Sequence, residues 1–120
     1  MTPRSFADAY VRITNSGAYA ELAALFALEA VFLGPGGRVL HGRAAIGQFY
    51  EKFLSEITPV IRVSSYVEQG RDCVYELEAR VAGAEEFTLG AIDHATFDED
   101  GQVIRFAVFT KLARPRRTSR

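Results

Sequence analysis

Hydrophobic residues near the start of the chain recur with the spacing of an α-helix. Phe6, Tyr10 and Ile13 fall on one side of a helical projection, so the pattern predicts a first amphipathic helix. The run Ser5–Asp8 has the form of a capping box, which predicts where this helix begins. Gly17 can adopt the left-handed conformation that commonly ends a helix, so the predicted helix stops there.

Further helical segments and short extended segments follow before residue 55. The glycine-rich run 34–37 is typical of a turn, and a short strand is predicted on either side of it. The predicted elements are, in order, a second amphipathic helix carrying Leu22, Leu25 and Phe26, strands over 30–33 and 38–40, and a third helix over 43–54 that buries Ile46, Phe49, Tyr50, Phe53 and Leu54.

The pattern changes to the alternation of β-strands after Pro59. Between Cys73 and Ala82 every second residue is apolar, which predicts a strand that buries Tyr75 and Leu77 and exposes the charged residues between them. An Asp-Gly pair at 100–101 is typical of a hairpin turn. The predicted strands cover 60–67, 73–82, 86–97 and 103–112.

Three helices followed by an antiparallel meander define an α+β fold. We expect a curved, mixed but mainly antiparallel sheet wrapped around the three N-terminal helices, in the shape of a cone with an internal pocket. The open end of such a cone is a natural site for a small molecule. A chain of 120 residues is the size of one domain, and we place this domain at 1–113.

Charge is unevenly distributed along the chain, although the net charge is only −1. Residues 114–120 contain four arginines and no acidic residue, which leaves ten basic and fifteen acidic residues in 1–113. An acidic body argues against nucleic-acid binding, because that function needs a basic face. The basic segment 114–120 is interpreted as a disordered C-terminal tail.

Few residues are suited to metal or redox chemistry. Cys73 is the only cysteine, which excludes an internal disulfide, and His41 and His94 have no cysteine near them to complete a metal site. No glycine-rich phosphate loop is present, so no cofactor is expected. The sequence contains neither a bilayer-spanning apolar run nor a signal peptide, which predicts a cytoplasmic protein without a membrane partner.

The order of several short motifs resembles the nuclear transport factor 2-like superfamily, in particular its SnoaL-like and ketosteroid isomerase-like branches. Their combined order and spacing over about residues 5–112 carries the resemblance. The motifs are Tyr10-Val11 with Asn15-Ser16-Gly17, Leu22-Ala23-Ala24-Leu25-Phe26 with Ala30-Val31-Phe32, Gly42-Arg43-Ala44-Ala45-Ile46 with Phe49-Tyr50, and Ile92-Asp93-His94 with Phe97-Asp98-Glu99-Asp100-Gly101.

The resemblance to ketosteroid isomerase implies roles for particular residues. Tyr10 and Asp93 match the tyrosine and the protonated aspartate that donate hydrogen bonds to a developing oxyanion in that enzyme, and Tyr50 matches a supporting tyrosine. The position of the general base, immediately before Pro35, is occupied by Gly34. Since glycine cannot accept a proton, the usual base for steroid isomerisation is missing.

Asp93 is the most informative single residue, because it lies in an otherwise apolar strand. If its side chain faces inward, it must be hydrogen-bonded or protonated, since burying an unpaired carboxylate is costly. The alternative is an outward Asp93 that pairs with an arginine. His94 follows it on the strand and is predicted to point to the opposite face.

The function that these residues favour is binding of a small apolar, carbonyl-bearing ligand, with Tyr10 and Asp93 as donors to its carbonyl or enolate oxygen. If the protein is an enzyme, an isomerase-like or cyclase-like reaction fits best. The alternative is a ligand-binding or dimerisation module without catalysis, which Gly34 favours. The predicted ligand-binding residues are Tyr50, Phe26, Phe32, Phe49, Phe53, Phe97 and Phe106.

Glu76, Glu78 and Arg80 provide a second alternative. A one-residue shift of register at Gly70 would turn them inward, where a carboxylate beside an arginine would resemble the epoxide-hydrolase members of the superfamily. We favour an exposed charged face instead. The resemblance also implies a homodimer that pairs through the convex face of the sheet, with His94, Thr96 and alternate residues of the last strand in the contact.

Overall fold

The computed structural model describes residues 1–111, so the predicted tail over 114–120 lies outside the described residues. The elements are α1 (Pro3–Ser16), a 3₁₀ helix (Tyr19–Leu25), β1 (Phe26–Leu33), a 3₁₀ turn (Pro35–Gly37), β2 (Val39–His41), α2 (Arg43–Ile57), β3 (Val60–Gln69), β4 (Asp72–Arg80), β5 (Leu89–Phe97) and β6 (Val103–Lys111). The predicted α+β class is therefore confirmed.

Helix α1 begins one turn earlier than the capping pattern at Ser5 predicted. Thr2 is the N-cap and accepts a hydrogen bond from the Ser5 backbone N–H at 3.0 Å, while the Ser5 hydroxyl accepts from the Thr2 N–H at 2.9 Å. Pro3 follows the cap at a position where its fixed φ suits the helix and its missing N–H costs nothing. Gly17 ends the helix with φ +83°, as predicted.

The region between α1 and α2 differs most from the prediction. Residues 19–25 form a 3₁₀ helix, and β1 begins at Phe26 rather than at Ala30. Phe26 pairs with Val103 of β6, and a bulge follows before the pairing resumes at Val31. A contact between strands so far apart in the chain leaves no signal in local periodicity, and it extends β1 toward its N-terminus.

The six strands form one mixed sheet in the order β2-β1-β6-β5-β4-β3. All neighbouring pairs are antiparallel except β1 and β6, which run parallel. The helices lie on one face of this sheet, and α1 packs against β3 and β4 while α2 packs against β1. The mixed, mainly antiparallel sheet with helices on its concave side is the predicted architecture.

The face of β4 that meets the helices carries the apolar residues. Cys73, Tyr75 and Leu77 are buried, and Glu76 and Glu78 alternate with them on the outer face. This alternation follows from the pleat of the strand, because successive side chains point to opposite sides.

Aromatic rings fill the space between the helices and the sheet. Phe6 is fully buried and its ring lies within 6.5 Å, centroid to centroid, of five other aromatic rings. Such tilted and edge-to-face pairs stabilise a core beyond the burial of their area. The rings around it belong to Tyr10, Phe26, Tyr75, Phe97 and Phe106.

Phe53 was predicted to face inward, and this prediction is wrong. Its side chain is 43% exposed and stacks on the half-buried Phe49 at 5.5 Å. The buried stripe of α2 runs through Ile46, Tyr50 and Leu54, which recur every four residues. Phe49 and Phe53 each precede a member of that stripe by one residue, so they lie about 100° around the helix from it, on its flank.

Candidate active site

Three tyrosines and one aspartate form a polar cluster inside the aromatic core. Tyr10, Tyr50, Tyr75 and Asp93 are 6%, 4%, 0% and 1% exposed. They come from α1, α2, β4 and β5, so the helices and the sheet each contribute two members. Tyr10, Tyr50 and Asp93 were predicted site residues, whereas Tyr75 was predicted to lie in the core without a functional role.

Tyr10 and Tyr50 are held together by the packing of α1 and α2. Tyr10 shares the buried face of α1 with Phe6 and Ile13, and Tyr50 lies on the buried stripe of α2. Their rings are 5.9 Å apart and nearly perpendicular, and their hydroxyl oxygens are hydrogen-bonded at 2.9 Å. One hydrogen bond between two hydroxyls leaves one O–H of the pair free to donate elsewhere.

Asp93 faces the core directly opposite Tyr75. The two residues are Cα partners in the antiparallel pairing of β5 and β4, and both side chains point toward the helices. Among the described residues, neither carboxyl oxygen of Asp93 nor the hydroxyl of Tyr75 has a hydrogen-bond partner. Buried polar groups in proteins are normally paired, so these three unpaired atoms mark a place where a ligand would supply the missing partner.

Burial raises the pKa of Asp93 to about 8. The Tyr75 hydroxyl lies close enough to offset part of this shift, although the two groups do not meet the geometry of a hydrogen bond. Burial, followed by the charge of Asp93, also raises the pKa of Tyr10 and of Tyr75 well above the usual value. Burial also raises the pKa of Tyr50, so the protonated forms of all four groups are favoured at neutral pH.

The aromatic residues predicted to line a ligand site divide into two groups. Phe26, Phe32 and Phe106 contact the cluster, with ring centroids 5.7–6.3 Å from a ring of Tyr10 or Tyr50. Phe97 is buried but packs against Phe6, which lies between it and the ring of Tyr10. Phe49 also contacts Tyr50, at 5.6 Å, whereas Phe53 only contacts Phe49 on the exposed flank of α2.

Gly34 carries no group that can accept a proton from a ligand, and the space beside it is filled. A Cβ atom added there would lie 2.7 Å from Cε1 of Phe32, which is closer than carbon atoms pack. The backbone at Gly34 is extended, with φ −107° and ψ 177°, so the ring of Phe32 and not the backbone excludes a side chain. A side chain at the position that the resemblance assigns to the general base would therefore meet the ring of Phe32.

Two grooves on the described surface lie away from the cluster. One, of about 440 Å³, runs along Leu33–Gly36 and the C-terminal half of β6. The other, of about 650 Å³, lies around Val67, Val74 and His94. Because the tyrosines and Asp93 are enclosed by rings, a ligand would reach them only after side chains move, and the internal pocket stays a prediction.

Glu76, Glu78 and Arg80 lie on the opposite face of the sheet from Asp93. Glu78 forms an ion pair with Arg62 at 2.8 Å, and the guanidinium of Arg80 lies 5.2 Å from the ring of Phe87. The epoxide-hydrolase alternative required these three side chains to face inward, and the structure places them outside.

His94 also points outward, as predicted, and belongs to a separate polar network. Its Nε2 lies 2.9 Å from Oδ1 of Asp72, which also accepts a hydrogen bond from the Thr96 hydroxyl at 2.7 Å. The Thr96 bond, and then the His94 bond, lower the pKa of Asp72. His41 is exposed on β2. Residues 1–111 contain no helix that is both long enough and apolar enough to span a membrane.

The profile of the SnoaL-like domain family matches residues 7–106, which is most of the chain. A steroid Δ-isomerase from Nocardioides simplex is 30% identical over 106 residues, covering 83% of this chain and 82% of that enzyme. The protein therefore belongs to the SnoaL-like domain family.

Solved structures show the same fold at lower sequence identity. A steroid Δ-isomerase from Pseudomonas aeruginosa superposes with a TM-score of 0.72 at 22% identity, covering 92% of this chain and 84% of that one. An epoxide hydrolase/cyclase-like enzyme of pyran ring formation in the polyether salinomycin gives 0.75 at 20% identity, covering 90% and 89%. An NTF2-like protein of unknown function from Cytophaga hutchinsonii gives 0.73 at 17% identity, covering 92% and 91%.

Proposed function

We propose that this protein is an isomerase-like or cyclase-like enzyme that binds a small apolar carbonyl compound. The Tyr10–Tyr50 pair and Asp93 donate hydrogen bonds to the carbonyl oxygen and stabilise the enolate that forms from it. The observation that carries the proposal is Asp93, which is 1% exposed and unpaired among the described residues. A carboxyl group kept neutral by burial serves as a donor, and a donor is what a developing oxyanion requires.

The surroundings of the cluster support this role. Fixed donors in a site without water act more strongly on developing charge than the same groups in water do. Tyr10 and Tyr50 are buried, and their rings contact those of Phe26, Phe32 and Phe106. The 30% identical relative is a steroid Δ-isomerase, which is consistent with enolate chemistry at this site.

Gly34 favours a second candidate function, which is ligand binding without catalysis. The described residues around the cluster provide no carboxylate or imidazole that is mainly in the form of a base at neutral pH, since burial raises the pKa of Asp93 to about 8 and His94 faces outward. A pocket protein would retain the donors and bind a carbonyl or phenol without converting it. Measuring both binding and turnover separates the two functions.

The first test is the affinity for 2-naphthol, a probe with one ring hydroxyl. Asp93→Ala and Tyr10→Phe are each expected to weaken binding by about 1–3 kcal/mol, the value of one buried hydrogen bond. Asp93→Asn keeps a donor and is expected to bind within a few-fold of wild type. Calorimetric titration measures the affinity of the wild type and of these three variants. Tyr66→Phe is the control, because the Tyr66 hydroxyl donates a hydrogen bond to Glu68 outside the cluster.

Equal affinity of wild type, Asp93→Ala and Tyr10→Phe would refute the donor role. Turnover decides between the two functions. An enzyme converts β,γ-unsaturated ketones, or exchanges their α-protons, faster than buffer does, whereas a pocket protein binds them and leaves them unchanged.

We also propose that the protein is a homodimer that pairs through the outer face of the sheet. One cross-strand row on this face is largely apolar and spans all six strands. Two further apolar side chains, Ile92 and Phe109, lie beside it and are 39% and 59% exposed. Exposed apolar side chains grouped on one face are typical of a surface that is covered in the assembled protein. The row consists of Val67, Val74, His94, Ala107, Leu33 and Val39.

Phe109→Glu is expected to convert the dimer into a monomer without unfolding it, because the side chain is exposed in the single chain and a charge would be buried only on pairing. Sedimentation velocity at micromolar concentration measures the change. Phe53→Glu is the control, since Phe53 is an exposed phenylalanine on the helical side of the molecule. Wild-type protein that sediments as a 13.2 kDa species would rule out the dimer.

A further inference from the structure

We propose that His94 makes the pairing of two copies of this chain dependent on pH. Each copy takes up a proton at His94 when the dimer forms, so the dimer is tighter at mildly acidic pH than at alkaline pH. This inference rests on the homodimer proposed above and adds a means of regulating it. It assigns a role to a polar network that the buried cluster does not use.

His94 lies in the middle of the apolar row through which the two copies are proposed to pair. Its Cα partners are Val74 on β4 and Ala107 on β6. It is the only polar residue in the row of Val67, Val74, His94, Ala107, Leu33 and Val39. The side chain of His94 is 35% exposed in the single chain. A second copy that covers this row therefore also covers His94 and removes water from it.

The imidazole of His94 lies against a carboxylate. Its Nε2 is 2.9 Å from Oδ1 of Asp72, and the Thr96 hydroxyl donates a hydrogen bond to the same oxygen at 2.7 Å. The Thr96 bond, and then the His94 bond, lower the pKa of Asp72, so this carboxylate carries its negative charge at neutral pH. The side chain of Asp72 is 49% exposed, and in the single chain water therefore compensates part of that charge.

Pairing favours the protonated form of His94, because Asp72 loses water when the imidazole beside it is covered. A buried charge is costly unless an opposite charge lies next to it. A protonated His94 supplies that charge in contact with Asp72, whereas a neutral imidazole supplies only a hydrogen bond. The dimer therefore holds more protons than two separate chains do. By linkage, lowering the pH favours the dimer, and raising the pH favours the separate chains.

The other titratable groups around His94 do not reverse this preference. They come from three strands, and they are Glu68 of β3, Cys73 and Glu76 of β4, and Arg105 of β6. Burial raises the pKa of the Cys73 thiol to about 11, so this thiol is neutral. The two glutamates are acidic and favour a protonated imidazole. The arginine opposes it, but within residues 1–111 it forms no ion pair with Asp72, which His94 contacts directly.

The experiment measures the dissociation constant of the dimer by sedimentation equilibrium at pH 5.5, 7 and 8. The wild-type dimer is expected to be on the order of ten-fold tighter, or more, at pH 5.5 than at pH 8, because an imidazole gains its proton between these values. His94→Gln keeps an amide donor for Asp72 but cannot titrate, so its dissociation constant is expected to change by less than about three-fold. His41→Gln is the matched control, since His41 lies on β2, three strands away, and this variant is expected to keep the wild-type dependence.

Two results would overturn this inference and leave the homodimer in place. A wild-type dimer that is equally tight at pH 5.5 and 8, or weaker at pH 5.5, would show that pairing takes up no proton. A pH dependence that His94→Gln retains, or that His41→Gln removes, would assign the proton to another group. Wild-type protein that is monomeric at every pH contradicts the homodimer itself. Circular dichroism at pH 5.5 and 8, expected to be the same for all three proteins, confirms that each variant is folded.

Discussion

Asp93→Asn is expected to stabilise the protein at alkaline pH by about 5 kcal/mol, and to have little effect near pH 4. The folded protein holds the pKa of Asp93 at about 8, against an ordinary carboxyl value of 3.8. Folding therefore favours the protonated form. The contribution of Asp93 to the free energy of unfolding is largest below pH 4, falls as the pH rises toward 8, and is smallest above pH 8.

The asparagine variant carries no charge to bury, so its stability lacks this dependence on pH. Urea denaturation followed by circular dichroism at pH 4, 7 and 9 measures the difference. Asp100→Asn, an exposed aspartate in the β5–β6 turn, is the matched control. A carboxyl-labelled NMR signal of Asp93 that titrates below pH 4, or an unchanged stability difference between pH 4 and 9, would contradict the expectation.

Installing a base at position 34 is expected to increase α-proton exchange of a bound simple ketone by roughly 100-fold or more, the usual contribution of a general base. Gly34→Asp alone is expected to gain little, because its Cβ would lie 2.7 Å from the ring of Phe32. Gly34→Asp combined with Phe32→Leu removes the obstructing ring atoms. Residues 32 and 34 share one face of the chain, so the new carboxylate faces the side on which Tyr50 and Phe106 lie.

Deuterium incorporation into 1-tetralone, followed by NMR, measures this gain. Gly34→Asn with Phe32→Leu is the matched control, since it has the same shape and cannot accept the proton. If the aspartate and asparagine variants exchange at the same rate, position 34 does not face the bound ketone.

Local sequence patterns predicted the helices and strands more accurately than they predicted how these elements pack together. The inner face of α1, the alternation of β4 and the turn at Gly101 follow from spacing and turn chemistry, and the structure confirms them. The early start of β1 at Phe26 depends on its pairing with β6, which no local window contains. Phe53 was misplaced because two adjacent apolar rows run along α2 and only packing decides which row is buried.

The candidate site shows the same division. Tyr10 and Asp93 were selected by resemblance, and the structure buries both of them. Tyr75 was predicted to be buried, but its place opposite Asp93 depends on the register between β4 and β5. The segment between those strands is longer than predicted, since β5 begins at Leu89 rather than at Glu86. Which side chains meet in this cluster depends on the register between β4 and β5. That register depends in turn on the length of the segment that connects the two strands.

The parallel pairing of β1 with β6 also determines when the protein can fold. Phe32 aligns with Phe106, about seventy residues later, so closing this pair requires a long loop and is slow compared with forming the β3–β6 meander. During synthesis on the ribosome, β1 has no partner strand in the sheet other than β2 until β6 has left the exit tunnel. Tyr10 and Tyr50 lie on helices that are synthesised before β6. They therefore become buried only after the last strand of the sheet has been added.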